Sequence, residues 1–254
     1  MKKLKNLAVI PARLESSRFP GKPLKHILGI PMIAHCYERA LLVKDIQDVY
    51  ISTPNPEIIN WCQKNNIQCI LTSDSHKRAT ERAHETLLKI DPTLSIYNKV
   101  LLIQGDEPET LPEDCDKLLK ALNEENEVCN LVCQINKESA DDKNIVKAVI
   151  SNKNNILFFS RNLVPHHSLT YYRQLGLIGF LSKALLRFCN LEESKLEKIE
   201  SIDMLRYIEN GVPIKAIYGK KNINGVDLEE HIKAVESSIR FDKYFNQYRN
   251  KYII

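Results

Sequence analysis

Three short stretches of the 254-residue chain hold the residue types that phosphate and metal chemistry needs. The first, residues 8–24 (AVIPARLESSRFPGKPL), opens as an apolar run and breaks at Pro11 into a loop dense in Arg, Ser, Gly and Lys. Arg13, Arg18 and Lys22 supply cationic donors, Ser16 and Ser17 supply hydroxyls, and Gly21 lets the backbone approach a bulky anion. Such a loop can cradle phosphates. It can equally be a solvated basic surface loop, because its spacing is neither G-x-x-x-x-G-K-[ST] nor G-x-G-x-x-G. The second stretch, residues 104–108 (QGDEP), sets Asp106 directly after the apolar run KVLLI. A carboxylate there is a hard oxygen ligand suited to Mg²⁺, or a turn or helix-capping residue, the commoner role of an isolated Asp after a strand. The third, residues 224–229 (NGVDLE), places Asp227 ahead of the last helical segment, where it reads as an N-cap with Glu230 as its capping-box partner. Asp106 and Asp227 can share one Mg²⁺ only if the fold joins them.

The elements that must position these residues follow from apolar periodicity. Strands are expected at residues 7–10, 49–52, 69–71 and 99–103, with helices over 31–43, 56–65 (carrying Trp61) and 80–90. This alternation predicts an α/β fold: a mostly parallel sheet with helices on both faces. It puts the first loop at the carboxyl end of the first strand, where open parallel sheets place their ligands. After Asp106 the order changes. A helix is expected over 114–125, then strand-like runs at 130–135, 145–150, 156–159 and 175–181 with little helix between them, which predicts an added antiparallel side sheet. A helix over 196–210, a strand at 214–217 and a last helix over 228–250 complete the chain. One continuous core over residues 1–254 is expected.

Composition narrows the function classes. With 43% hydrophobic and 27% charged residues, no run approaches the length that crosses a bilayer. The basic N-terminus is followed by about four apolar residues, against roughly 7–15 in a secretory h-region, so a cytoplasmic protein is expected. The seven cysteines form no C-x-x-C pair and read as reduced core residues, with no metal assigned to them. A net charge of +4 is too mild to argue for nucleic acid. A dinucleotide-dependent oxidoreductase is disfavoured because no G-x-G-x-x-G follows the first strand.

P-A-R-x-x-S-x-R-x-P-G-K-P-L resembles the signature of sugar nucleotidyltransferases that activate acidic sugars with CTP, most closely the 3-deoxy-manno-octulosonate (Kdo) cytidylyltransferases. QGDEP matches that family letter for letter, and G-V-D at residues 225–227 matches its second acidic motif. NIVKAV (144–149), LFFSR (157–161), TER (80–82) and RQLGLIG (173–179) extend the resemblance over residues 7–236. The resemblance implies a Rossmann-like nucleotidyltransferase fold, with residues 1–110 binding nucleotide and 111–254 binding sugar and forming a homodimer. It implies transfer of CMP from CTP to an acidic sugar, with Mg²⁺ on Asp106 and Asp227. Arg13, Ser17, Arg18, Lys22, Ala79, Thr80 and Gln104 would contact the nucleotide; Arg82, Arg161, Gln174 and Asp203 would contact the sugar. The chain departs from the pattern at Gln174 (family His), Ile178 (Tyr), Asp203 (Glu) and Met204 (Gln), changes that the resemblance places in the sugar pocket. Arg78-Ala79 stands for Ser-Gly, and Ala79 would be strained if that position needs a positive φ. Kdo, 8-amino-Kdo and sialic-type acids therefore all remain as acceptors, and a non-catalytic nucleotide- or sugar-binding relative is the alternative.

Overall fold

Leu7, Ala8, Val9 and Ile10 have no exposed surface, nor do Val100, Leu101 and Leu102. Two such continuous apolar runs must lie side by side in the interior of a sheet, and they do: β1 (Lys5–Pro11) pairs in parallel with β6 (Tyr97–Ile103). The computed structural model describes residues 4–252 except Ser17, Lys221 and Asn224. Between these strands come β2 (His26–Ile27), β3 (Ile30–Pro31), α1 (Met32–Leu41), β4 (Asp48–Thr53), α2 (Pro56–Lys64), β5 (Cys69–Leu71) and α3 (Ala79–Ile90). After β6 follow α4 (Pro112–Ala121), β7 (Val128–Ile135), α5 (Lys137–Asp141), β8 (Lys147–Ile150), β9 (Asn155–Ser160) and β10 (Tyr171–Leu181). The chain ends with α6 (Ser182–Asn190), α7 (Lys195–Glu200), α8 (Leu205–Glu209), β11 (Ile214–Tyr218), α9 (His231–Ile239) and α10 (Phe245–Tyr248). Among the described residues, no helix is long and apolar enough to cross a membrane.

The main sheet has nine strands in the order β5-β4-β1-β6-β10-β7-β11-β9-β8. Strands β5, β4, β1 and β6 are mutually parallel, and β10 runs antiparallel to both β6 and β7. The chain leaves β1 toward β4 and β5 and then returns to β6 on the other side. The carboxyl ends of β1 and β6 thus form the topological switch point where such sheets bind ligands. The α/β class with a mixed central sheet agrees with the sequence. The antiparallel strands of the second half are continuous with the main sheet, and β8 also pairs back onto β10 at Arg173↔Lys147; a separate two-stranded antiparallel sheet is formed by β2 and β3.

Two helices end earlier than their periodicity suggests. The segment expected as one helix over 196–210 is split into α7 and α8, with Ser201 in the left-handed region at φ 56° closing α7. The last segment is likewise broken into α9 and α10. These C-terminal pieces cover α1, which is buried along almost its whole length. Its polar residues find their partners there. Arg39 pairs with Asp242 at 2.8 Å, Glu38 meets Lys251 Nζ and Tyr252 OH, and His35 lies between Tyr248 OH and the Ile27 carbonyl, each at 2.9 Å. A carbonyl can only accept, so His35 Nε2 carries the proton and Nδ1 accepts from Tyr248. A second apolar cluster, including Phe19, Val226, Val235 and Phe245, ties this C-terminal segment to the first loop.

Burial holds the His35 imidazole neutral, with its pKa lowered from 6.5 to about 4. The neutral ring's contribution is complete above pH 6.5 and is lost as pH falls toward 4, because the unfolded chain then binds a proton that the fold refuses. Urea unfolding of wild type and His35→Gln should show their stability difference shrinking by roughly 3 kcal/mol between pH 7 and pH 4. A pH-independent difference would contradict the assignment.

Candidate functional site

β1 and β6 end side by side at a cleft of about 770 Å³. Arg13, Arg18 and Lys22 reach it from the loop after β1, and Gln104 and Asp106 from the turn after β6. Gly21, at φ 71°, starts the short 3₁₀ turn Lys22–Leu24 that turns Lys22 inward, a backbone state that favours glycine. Asp227 comes from the segment before α9. A backbone bond from Val226 N to Asp106 O, 2.9 Å, stitches that segment to the end of β6.

The charges converge on one ammonium. Lys22 Nζ lies 2.6 Å from Asp106 Oδ2 and 3.9 Å from Asp227 Oδ1, and Arg18 Nη2 lies 3.0 Å from the same Asp227 oxygen. The two carboxylates are therefore joined across 121 residues of chain, as a shared metal site requires. Asp227 is not the N-cap of the last helix: α9 begins at His231, and the Asp227 N–H donates to His231 Nδ1 at 3.2 Å. That one-turn offset leaves the Asp227 carboxylate available to Arg18 and Lys22. Two hard oxygen donors gathered on one cation match what Mg²⁺ takes from protein alongside substrate phosphates. No cluster of three or more His, Cys, Asp or Glu among the described residues could hold a metal ion, so the donor set does not resemble an all-protein metal cage.

A second set of contacts fixes the β6 turn, and here the sequence reading missed residues. Gly176 accepts a backbone bond from Gln104 N (3.1 Å) and donates its own N–H to Glu107 Oε1 (2.9 Å). Burial pushes the Glu107 carboxyl up to about 7, against the pull of Arg173, and its Oε2 has no partner among the described residues. Gly176 sits in an irregularity of β10 between Gln174 and Ile178. Asn130, fully buried, holds that irregularity: its Nδ2 donates to the Leu175 and Leu177 carbonyls and its Oδ1 accepts from Gln174 Nε2 at 2.7 Å. QGDEP and RQLGLIG contained Glu107 and Gly176 in plain view. Nothing local marked them as partners, because they lie 69 residues apart along the chain.

The remaining expected site residues divide. Ala79 and Arg82 line the cleft with Arg13 and Gln104. Ala79 is the first residue of α3 and is not among the positive-φ residues, so it carries no strain there. Arg82 is buried, donates to Thr72 Oγ1 (2.6 Å) and Ser73 O (2.8 Å), and has its pKa lowered by burial and by Arg13. Arg82 thus lines the cleft, whereas Arg161 does not; Arg161 Nε donates to Glu200 O and its Nη1 to Lys143 O. Thr80 is buried and donates to Asp203 Oδ2 at 2.6 Å, and burial raises the Asp203 pKa. Ile178 and Met204 are packed in the main apolar core rather than in an open pocket, so these two departures act through packing. Ser17 lies outside the described residues.

A family model described as cytidylyltransferase matches residues 7–222. The 3-deoxy-manno-octulosonate cytidylyltransferase of Koribacter versatilis is 35% identical, covering 93% of this chain and 91% of that protein. The 8-amino-3,8-dideoxy-manno-octulosonate cytidylyltransferase of Shewanella pealeana is 33% identical, covering 92% and 98%. A solved CMP:2-keto-3-deoxy-manno-octonic acid synthetase complexed with CTP superposes with a TM-score of 0.86 at 31% identity, covering 93% of this chain and 98% of that one.

A Cβ at Gly176 would lie 2.9 Å from both Gln104 Cβ and Glu107 Oε1, closer than real contacts allow, whereas one at Gly225 would meet nothing nearer than 3.9 Å. Gly176→Ala is therefore expected to lower unfolding free energy by about 1–3 kcal/mol, and Gly225→Ala to change it little. Paired urea titrations check this, and equal effects would contradict the Gly176 clamp.

Proposed function

The chain belongs to the 3-deoxy-manno-octulosonate cytidylyltransferase family, and we propose that it transfers CMP from CTP to the anomeric hydroxyl of Kdo or a close analogue such as 8-amino-Kdo. The observation that carries this reading is the Lys22 ammonium set between Asp106 and Asp227 at the switch point of the sheet.

In the reaction the sugar oxygen forms a bond to the α-phosphorus of CTP, the α–β bridging P–O bond breaks, pyrophosphate leaves, and the hydroxyl proton passes to solvent. An anionic sugar must approach a polyanionic nucleotide, so charge repulsion is the main obstacle. Arg13, Arg18 and Lys22 counter it. Lys22 has three donor hydrogens, so it can meet a phosphate oxygen while still holding Asp106. Gln104 and Ala79, on the cleft wall, border the nucleotide with Thr80 behind them, and Arg161, set beside the cleft with its Nε and Nη1 donating to Glu200 O and Lys143 O, turns its remaining N–H groups to the sugar carboxylate. Gln174 and Asp203 complete the sugar side, Gln174 through Asn130 and Asp203 through Thr80. Asp106 and Asp227 would hold Mg²⁺, which when bound neutralises phosphate charge and lowers the pKa of the sugar hydroxyl.

In this reading residues 1–110 bind nucleotide and residues 111–254 bind sugar, a division supported by one sheet that draws strands from both segments. A homodimer through the second half is part of the reading, supported by the exposed Leu157 and Leu169, and sedimentation velocity measures it. Seven free cysteines support a reducing, cytoplasmic setting, with the product serving lipopolysaccharide or capsule synthesis.

Pyrophosphate release from CTP, measured with Kdo, 8-amino-Kdo and sialic-type acids, tests the reading. Release that depends on a Kdo-type acid supports it; no sugar-dependent release, or preference for a neutral sugar phosphate, overturns it. Lys22→Ala and Asp106→Asn should each reduce turnover by about 10²–10³. Near-normal turnover in either variant would remove that residue from the site.

A further inference from the structure

Lys147 is fully buried, and its ammonium makes three hydrogen bonds, all to backbone carbonyls: Asp142 O (2.9 Å), Ile145 O (2.7 Å) and Arg161 O (2.7 Å). No carboxylate among the described residues pairs with it. Asp142, Asp141 and Glu200 act on it only from beyond ion-pair distance, and a buried cation without an ion pair is a costly choice for packing alone, because an apolar side chain of similar volume would fill the space without desolvating a charge. What the ammonium supplies is geometry. It reinforces the rung where β8 faces both Ser160 of β9 and Arg173 of β10, and it ties the loop that enters β8 to the loop that leaves β9.

The first of those loops reaches the cleft's cations directly, and the second is bonded to the first. Asn144 Oδ1 lies 3.4 Å from Arg18 Nη1, the guanidinium that also pairs with Asp227. Arg161 Nη1 donates to Lys143 O, and Gln174 N donates to Val146 O. Arg18, Arg161 and Gln174 are therefore each within one bond of the turn over residues 142–146 that Lys147 holds.

We propose that Lys147 is a positioning residue for the acidic-sugar side of the site: it preforms the 142–146 turn and the Arg161 backbone so that Arg161 and Asn144 face the substrate. This rests on the cytidylyltransferase reading above. The Lys147 side chain does not line the cleft and bonds to backbone carbonyls, so its removal acts through Arg161 and Asn144 and leaves the nucleotide cleft unchanged.

Lys147→Met keeps the volume and removes the donors; Lys147→Gln keeps part of the donor capacity. Steady-state kinetics and amide hydrogen exchange are measured on wild type and both variants. The sugar KM should rise about tenfold or more in Lys147→Met and less in Lys147→Gln, with the CTP KM held within about twofold. Amides of residues 143–146 and 161–163 should lose protection while β1 and β6 keep theirs. An unchanged sugar KM, parallel rises in both KM values, or lost protection across the whole sheet in both variants would overturn the proposal. Wild-type protein that releases no pyrophosphate with any acidic sugar would instead fail the parent reading; the exchange arm then decides by itself whether Lys147 holds the two loops.

Discussion

Two carboxylates held around one ammonium at the end of a parallel sheet set the terms for the rest of this molecule. Asp106 and Asp227 repel each other, and Lys22 and Arg18 make their approach tolerable before any ligand arrives. Each of the four comes from a loop or turn, so each must be fixed by something more rigid. β1 and β6 fix two of the attachment points through buried ladder pairing, and the Val226–Asp106 backbone bond fixes the third. Such a cluster holds its two cations at the cleft before any ligand binds, so little reorganisation is needed for an anion to meet them.

The support extends outward in two directions. Behind the first loop, the C-terminal segment packs Val235 and Phe245 against the cluster that contains Phe19 and Val226, and it supplies partners for the buried His35, Glu38 and Arg39 of α1. Beside β6, the Gly176 peptide grips the QGDEP turn by both its N–H and its carbonyl, and Asn130 holds the β10 irregularity that brings Gly176 there. Both supports are polar contacts inside an apolar frame, where an unmade hydrogen bond is expensive and the geometry is correspondingly strict.

Much of this was legible in the sequence, and for a definable reason. Buried parallel strands are continuous apolar runs, so β1 and β6 could be read directly, and the loops that follow them had to share one end of the sheet. Arg13, Lys22, Asp106 and Asp227 were found by type and motif. The capping role of Asp227 was misread because local chemistry favours an N-cap, while the tertiary pull of Arg18 and Lys22 decided otherwise. The resemblance assigns Ile178 and Met204 to the sugar pocket, whereas both side chains are buried in the main core. Glu107, Gly176, Asn130 and Lys147 act through partners far away in sequence or through backbone carbonyls, and neither leaves a periodic signal.

The central claim is that Asp106 and Asp227 act as one divalent-cation site that Lys22 and Arg18 keep assembled. Electron paramagnetic resonance of Mn²⁺ titrated into the protein with CTP and an acidic sugar tests it most directly, comparing wild type with Asp106→Asn and Asp227→Asn. The account predicts protein-dependent Mn²⁺ binding in wild type that weakens in both variants; binding that is indifferent to either carboxylate would contradict it.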